Sequence, residues 1–142
     1  FTSGDVWIMA GIKRDSADKW FSDCIRHAAG YQCEHCHRGF EGLVQGLECC
    51  HIVGRSNKST RWCVENCCCL CSGCHRKFTE NPLDFNDWLL AEFGEGRLDI
   101  LREKKRAIFK TTKPIRLEIA KHYREEYRRM VRENSTDLVS YN

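Results

Sequence analysis

The sequence has no apolar run long enough to cross a membrane, no internal repeat and no low-complexity segment. The missing apolar run argues against a membrane protein, because a transmembrane helix needs about 20 consecutive apolar residues. A mean hydropathy of −0.56 is typical of a soluble chain. Residues 1–5 lack the basic stretch of a secretory signal, so we expect no signal peptide there. The 142 residues are enough for one domain with a helical extension.

Cysteine, in contrast, is abundant, with 11 residues in the chain. Such a count is typical of either a secreted disulfide scaffold or an intracellular metal site. The odd number, the paired C-x-x-C spacing and the 30% of charged residues favour the metal site. We therefore expect reduced cysteines in a cytoplasm.

The net charge of +3 is small but unevenly distributed. Residues 102–132 contain twelve Lys and Arg against four Glu, which leaves the rest of the chain acidic. Such an asymmetry indicates a face that binds a polyanion. A solvated helix surface would give the same pattern, so charge alone leaves both interpretations open.

Start and stop signals predict five helices. Asp15 or Ser16 can cap the first helix, and Gly30 can end it. Asn81 precedes a proline, which is favoured at the first helical position. The predicted helices cover residues 15–29, a part of 65–80, 81–94, 96–108 and 111–134. Apolar residues four apart give the last helix a buried stripe, formed by Ile115, Ile119, Tyr123 and Tyr127.

Two short strands are predicted between the first two helices. Glycines bound the first strand, at residues 46–54, and a second is expected at residues 61–64. The predicted fold class is α+β, with a small zinc-stapled core, a flanking N-terminal helix and a C-terminal helical extension. In chain order we expect a flexible segment at 1–14, the core at 15–80, a basic helical extension at 81–134 and a frayed tail at 135–142.

Four cysteines form two C-x-x-C pairs, Cys33 with Cys36 and Cys71 with Cys74. At this spacing one tight turn directs two sulfurs at the same ion, and zinc favours four tetrahedral ligands. Buried packing residues or a redox pair are the alternatives. Two pairs together favour a structural zinc, which would stabilise a core too small to hold itself.

The other cysteines lie close to these pairs. Cys49 and Cys50 precede the first candidate catalytic histidine, and three cysteines at 67–69 lead into the second pair. A second metal site is one interpretation. We favour burial as packing residues, since unpaired cysteine is among the most buried residue types.

The segment framed by the two pairs contains residues suited to phosphodiester hydrolysis. That reaction needs a base to deprotonate water and a divalent ion to neutralise charge on the phosphate. His51 can present a neutral imidazole, and the amide of Asn66 can fix its tautomer through a hydrogen bond. His75 follows the last zinc cysteine, so it would be held rigidly and could bind the ion. His35 and His37 lack such support and are predicted to lie on the surface.

These residues resemble the motifs of an HNH endonuclease with its ββα-metal fold. The matching strings are Cys33-x-x-Cys36, Cys50-His51-Ile52, Glu65-Asn66 and Leu70-Cys71-x-x-Cys74-His75-Arg76-Lys77. More narrowly, residues 51–56 and 59–62, together with Asn81 and the aromatic-rich helices, resemble the phage NinG (Rap) recombination-nuclease family. This resemblance covers about residues 18–130.

The resemblance implies roles for individual residues. His51 would be the general base, Asn66 its orienting partner and His75 a ligand of a catalytic Mg²⁺ or Mn²⁺; the four paired cysteines would bind zinc. Many HNH enzymes have Asp or His just before the base, but this chain has Cys50, and a thiol is a poor Mg²⁺ ligand. Glu48, water or substrate could supply the missing ligand.

The implied function is a metal-dependent DNA endonuclease acting on branched or recombination-intermediate DNA, in the cytoplasm of a bacterial host. The alternatives are a nicking or restriction-type HNH nuclease for ordinary duplex DNA, and a non-catalytic zinc-stapled DNA-binding module, which Cys50 favours. A junction resolvase needs two active sites, so the last helix would either form a homodimer interface or pack on its own domain. Phosphate contacts of this kind position DNA without reading its sequence. The residues expected to make them are Arg55, Lys58, Arg61, Arg76, Lys77, Arg124 and Arg128.

Overall fold

A computed structural model describes residues 13–141, so most of the predicted flexible segment lies outside the described residues. In this range the fold is α+β, with five helices and a two-stranded antiparallel sheet. The helices are α1 (Ser16–Ala28), α2 (Ser72–Glu80), α3 (Pro82–Phe93), α4 (Glu95–Arg106) and α5 (Lys113–Glu133). The strands are β1 (Leu47–His51) and β2 (Cys67–Cys71). No helix among the described residues has the length and apolar character needed to cross a membrane.

Helix boundaries follow the capping signals. The Asp15 carboxylate accepts a hydrogen bond from the Asp18 backbone N–H (3.1 Å), and the Asp18 carboxylate accepts one from Asp15 N–H (3.0 Å). This reciprocal capping satisfies two N–H groups that would otherwise lack partners at the start of α1. Gly94 has a φ of +84°, which favours glycine, and it separates α3 from α4. The predicted positions of these helices are confirmed.

The predictions for residues 61–71 were wrong. Residues 64–66 form a single 3₁₀ turn, and the second strand is β2 rather than residues 61–64. The helix expected to begin near residue 65 starts only at Ser72. Every residue of β2 is buried, so the strand lacks the alternation of apolar and polar residues that marks a sheet with one exposed face.

The register of the sheet decides which side chains can meet. β1 and β2 pair so that Leu47 lies opposite Cys71 and His51 opposite Cys67. Cross-strand partners share a face, whereas successive residues of a strand alternate between faces. The face against α1 carries Leu47, Cys49, His51, Cys67 and Cys69. The face toward α2 carries Glu48, Cys50, Cys68 and Leu70.

α5 packs along α1 and completes the larger hydrophobic core. Ile119 and Tyr123 are buried in that core, and Ile115 and Tyr127 pack against it, so the predicted stripe is confirmed. The Tyr123 hydroxyl donates a hydrogen bond to the Trp62 carbonyl. The basic extension and the predicted nuclease core therefore share one hydrophobic core, and the buried stripe of α5 is used within the chain itself.

The described part of the tail after α5, which we predicted to be frayed, makes hydrogen bonds to the rest of the fold. The Tyr141 N–H donates to the Tyr123 hydroxyl (3.0 Å), and the Ser140 hydroxyl accepts from the Val64 N–H (3.3 Å). The Val139 N–H donates to the Glu126 carboxylate (2.9 Å). These contacts attach the described part of the tail to α5 and to the 3₁₀ turn.

Candidate functional site

The four paired cysteines form a single cluster. The four sulfur atoms, from Cys33, Cys36, Cys71 and Cys74, all lie within 4.8 Å of one another. The Cys36 and Cys71 sulfurs are 3.8 Å apart, which is roughly the S–S separation in a tetrahedral site with Zn–S bonds of about 2.3 Å. The cluster is therefore compatible with a structural metal such as zinc.

Backbone hydrogen bonds hold each pair in a tight turn. The Cys36 N–H points to the Cys33 sulfur and the Cys74 N–H to the Cys71 sulfur, each at 3.4 Å. The turn at residues 33–36 is hydrogen-bonded to β2. The Glu34 N–H donates to the Cys69 carbonyl (2.8 Å), and the Glu34 carboxylate accepts from the Cys69 N–H (2.9 Å). Cys71 ends β2 and caps α2. A metal in this cluster would join the turn at residues 33–36 to the end of β2 and the start of α2.

The thiol chemistry of the cluster suits a cation. Burial alone raises the pKa of a thiol, but N–H groups of Cys36, Cys71 and His35 lower that of Cys33 to about 7. Burial raises the pKa of Cys71 and Cys74. Four sulfurs at this spacing repel one another when ionised, so all four can be thiolates only around a positive ion.

A second group of polar side chains lies on the α2 face of the sheet. His75, in the first turn of α2, has its Nδ1 atom 2.7 Å from a Glu48 carboxylate oxygen. The Ser72 hydroxyl donates to the other oxygen of that carboxylate (3.0 Å). The Cys50 thiol lies close enough to His75 to raise the pKa of the imidazole. The structure thus brings together Glu48, Cys50 and His75, the three residues proposed around the catalytic ion.

The contacts within this group shift the pKa values of His75 and Cys50. Burial would lower the pKa of His75, but its hydrogen bonds to Cys50 and Glu48 raise it to about 9. Hydrogen bonds to Cys68 and His75 lower the pKa of Cys50 to about 6, against the effect of burial.

His51 lies on the opposite face, against α1. Its Nε2 atom is 3.0 Å from the Arg61 carbonyl oxygen, which can only accept, so Nε2 carries the proton and Nδ1 the lone pair. Burial lowers the His51 pKa to about 4, which keeps the ring neutral at pH 7. One ring nitrogen and the sulfurs of Cys49 and Cys67 lie within 4.8 Å of one another.

Asn66 is fully buried and holds the loop that follows β1. Its carbonyl oxygen accepts from Val53 N–H (2.7 Å), and its amide donates to the Val53 carbonyl (2.9 Å) and the Thr60 carbonyl (3.0 Å). Among the described hydrogen bonds none joins Asn66 to His51 directly. Asn66 instead fixes the loop that delivers the Arg61 carbonyl to the His51 ring.

Substitution of Asn66 by alanine is expected to lower the free energy of unfolding by about 2 to 3 kcal/mol, because three buried hydrogen bonds are lost. Urea denaturation measures the loss, and amide exchange at Val53 should accelerate locally. Asn81→Ala is the matched control, since Asn81 is exposed and its side chain bonds only the Lys77 carbonyl among the described residues. Equal stability of the two variants would contradict the role of Asn66.

Arg61 requires a correction, because we expected it to contact DNA. Its side chain is only 7% exposed and is paired with Asp18, with guanidinium–carboxylate distances of 2.6 and 3.0 Å. A further N–H donates to the Lys13 carbonyl (2.9 Å). Trp62 Nε1–H donates to the same Asp18 carboxylate (3.1 Å). Arg61 therefore stabilises the fold and presents no free surface to a phosphate.

The other proposed DNA contacts differ in exposure. Lys58, Arg76, Lys77 and Arg128 are exposed, whereas Arg55 and Arg124 are partly buried. On the C-terminal helices several cations are already paired with carboxylates of the same helix. Arg102 contacts Glu95 and Asp99, and Arg129 contacts Glu126 and Glu133. The exposed cations next to the start of α2 are thus better placed for a polyanion than the paired ones on α4 and α5.

Two further contacts were not predicted from the sequence. His37 is exposed as predicted, but His35 is partly buried, with its Nδ1 atom 3.2 Å from the Cys74 sulfur and its ring against Phe78. The grouping of His51 with Cys49 and Cys67 was also missed. The i, i+2 spacing of Cys49 and His51 in a strand was the available signal, since such residues share a face.

No protein-family model, no curated protein and no solved structure matches the chain.

Proposed function

We propose that the protein is a metal-dependent DNA endonuclease of the HNH type. The supporting observation is a ββα unit in which the antiparallel pair β1–β2 leads directly into α2, beside a four-cysteine cluster. This unit has a histidine at the end of β1 (His51) and another in the first turn of α2 (His75). The resemblance to HNH endonucleases leads us to expect two strands followed by a helix, with these histidines.

His51 has the properties of a general base. The Arg61 carbonyl orients its ring, and the neutral form at pH 7 keeps a lone pair to accept a proton from water. His51 is the last residue of β1, so it lies beside the loop that follows the strand. A phosphodiester would have to reach His51 from this end of the sheet.

Glu48 and His75 would hold the catalytic ion, with Cys50 as a further ligand if the metal is Mn²⁺. A bound divalent ion supplies a positive charge that neutralises the phosphate and the leaving oxygen. The first turn of α2 orients His75, and the Ser72 hydroxyl orients the Glu48 carboxylate (3.0 Å). The residues of this chain thus position the ligands before any ion arrives.

The substrate is expected to be DNA held mainly through its phosphates. Arg76 and Lys77 are exposed in α2, immediately after His75, and Lys58 is exposed on the loop after β1. Contacts of this type carry no sequence information, so any selectivity would come from the shape of the DNA. Branched DNA is the first candidate, on the resemblance to recombination nucleases.

Replacement of His51 by alanine is expected to lower the cleavage rate roughly 10²- to 10⁴-fold, the usual contribution of a general base. Linear, nicked, flap and four-way-junction DNA are each incubated with Mg²⁺ or Mn²⁺. His122→Ala is the matched control, because His122 lies on α5 and bonds the tail at Val139. If His51→Ala cuts as fast as His122→Ala, His51 is not the base; if linear duplex is cut as fast as junctions, the branched-substrate proposal fails.

Two observations favour a second candidate, a zinc-stapled DNA-binding module without catalysis. Cys50 occupies the position where an oxygen or nitrogen ligand is expected, and His75 is protonated when its pKa is about 9. Both features weaken Mg²⁺ binding. DNA binding without cleavage under every metal condition would support this module over the enzyme.

A further inference from the structure

We propose that Cys49, His51 and Cys67 form a second zinc site, separate from the four-cysteine cluster. It lies on the face of the sheet against α1. The four-cysteine cluster instead joins the turn at residues 33–36 to the start of α2. Two thiolates and one imidazole, with a fourth position left for water, are a known zinc ligand set. These donors therefore suit a borderline-soft divalent cation such as Zn²⁺.

The register of the sheet places the three donors close together. Cys49 and His51 are two residues apart in β1, so they share a face, and Cys67 lies directly opposite His51 in β2. The donor atoms lie within 4.8 Å of one another, the same limit that the four-cysteine cluster meets. The three donors are therefore already close together in the absence of metal.

The electrostatics of the site suit zinc. The Arg61 carbonyl holds the proton on Nε2 of His51, which leaves the Nδ1 lone pair for a metal. On binding, two thiols would release their protons to solvent while the imidazole gives its lone pair. The product, Zn²⁺ with two thiolates and a neutral imidazole, has no net charge. A neutral centre avoids the cost of burying an ion beneath α1.

The zinc would also regulate the enzyme, and this part rests on the proposed function. A His51 lone pair bound to zinc cannot accept a proton from water. Zinc at this site would therefore inhibit cleavage, and its removal would restore the base. Mg²⁺ and Mn²⁺ would not compete well for two thiolates.

The site itself is tested by metal content, independently of cleavage. The purified full chain is equilibrated with zinc or with Co²⁺, and bound metal is counted after removal of the excess. We expect Cys49→Ser, which removes a partly exposed ligand, to bind about one ion fewer than wild type. Cys24→Ser is the matched control; Cys24 is buried outside both clusters, and its hydrogen bond to the Tyr123 carbonyl can be kept by serine.

A second measurement covers the case in which Cys49→Ser does not fold. X-ray absorption of wild type loaded with zinc should give an average of about three sulfurs per zinc plus an imidazole signal, since one site has four sulfurs and the other two. A single zinc per wild-type chain, or a pure four-sulfur environment, would overturn the second site.

Regulation is tested by cleavage at increasing zinc, with each variant compared with its own zinc-free rate. The cleavage rate of wild type is expected to fall more than tenfold as zinc increases, whereas the rate of Cys49→Ser should not depend on zinc. Two bound zinc ions without inhibition would keep the site and reject the regulation. No cleavage in any condition would reject the proposed enzyme and leave the metal count as the test of the site.

Discussion

Replacement of Cys71 by serine is expected to abolish the cooperative unfolding transition of the protein. Cys71 ends β2, caps α2 and lies 3.8 Å from the Cys36 sulfur, so a zinc bound there would connect three segments. Apparent zinc-binding energies in small domains are about 10–16 kcal/mol, which is comparable to or larger than the net stability of a domain, about 5–15 kcal/mol. Loss of one thiolate ligand should therefore unfold much of residues 33–80.

Thermal melts followed by circular dichroism and tryptophan fluorescence measure this effect, with zinc content determined in parallel. Cys24→Ser again serves as the control, because it removes a buried thiol that is not a ligand. A strong chelator added to wild type should reproduce the melt of Cys71→Ser. A Cys71→Ser protein that melts like wild type would show that the cluster is not a structural metal site.

Replacement of Asp18 by alanine is expected to cost about 3–5 kcal/mol of stability, the usual effect of leaving a buried charge without its partner. The Asp18 side chain is 4% exposed and that of Arg61 7%. The substitution also removes the acceptor for Trp62 Nε1–H. Urea denaturation at pH 7 measures the loss. Asp99→Ala, which breaks an exposed pair with Arg102, should cost less than about 1 kcal/mol.

The same pair should make stability depend on pH. Burial alone would raise the pKa of Asp18, but the hydrogen bonds and charge of Arg61 lower it below 3.8. A carboxyl group with a lowered pKa in the folded state stabilises the protein above its unfolded pKa, near 3.9, and this stability is lost as the pH falls further. Wild type should therefore lose stability more steeply below about pH 4 than Asp18→Ala. Parallel curves for the two proteins would contradict this assignment.

Helix positions were predictable because their signals are local. The Asp15 cap of α1, the proline at the start of α3 and the glycine at its end each act within one turn of chain. The C-x-x-C spacing of the cysteines is equally local, so the four-cysteine cluster could be predicted as well. Such features need no knowledge of the distant parts of the fold.

β2 could not be predicted in the same way. Five consecutive buried residues, four of them cysteine, have neither helical nor alternating periodicity, so their pattern does not separate a strand from a helix. Arg61 was misassigned for a related reason. Its partner Asp18 lies 43 residues earlier, and only the tertiary fold brings the two together.

The candidate site was predictable as a set of residues but not as an arrangement. His51 and His75 were expected to serve one reaction, yet strand register places His51 against α1 and leaves Glu48 and Cys50 with His75. A shift of one residue in the pairing would have reversed these faces. Only the register also shows that Cys67 lies opposite His51.

The outer edge of β2 has a consequence for how the protein associates with others. The Glu34 backbone and carboxylate already bond both polar backbone groups of Cys69, and Arg97 donates to the Cys67 carbonyl (2.8 Å). An uncovered edge of a buried, cysteine-rich strand would be a template for pairing with another chain, and for aggregation. With these groups occupied, oligomers or amyloid-like contacts cannot grow by strand addition at this edge unless Glu34 and Arg97 are first displaced.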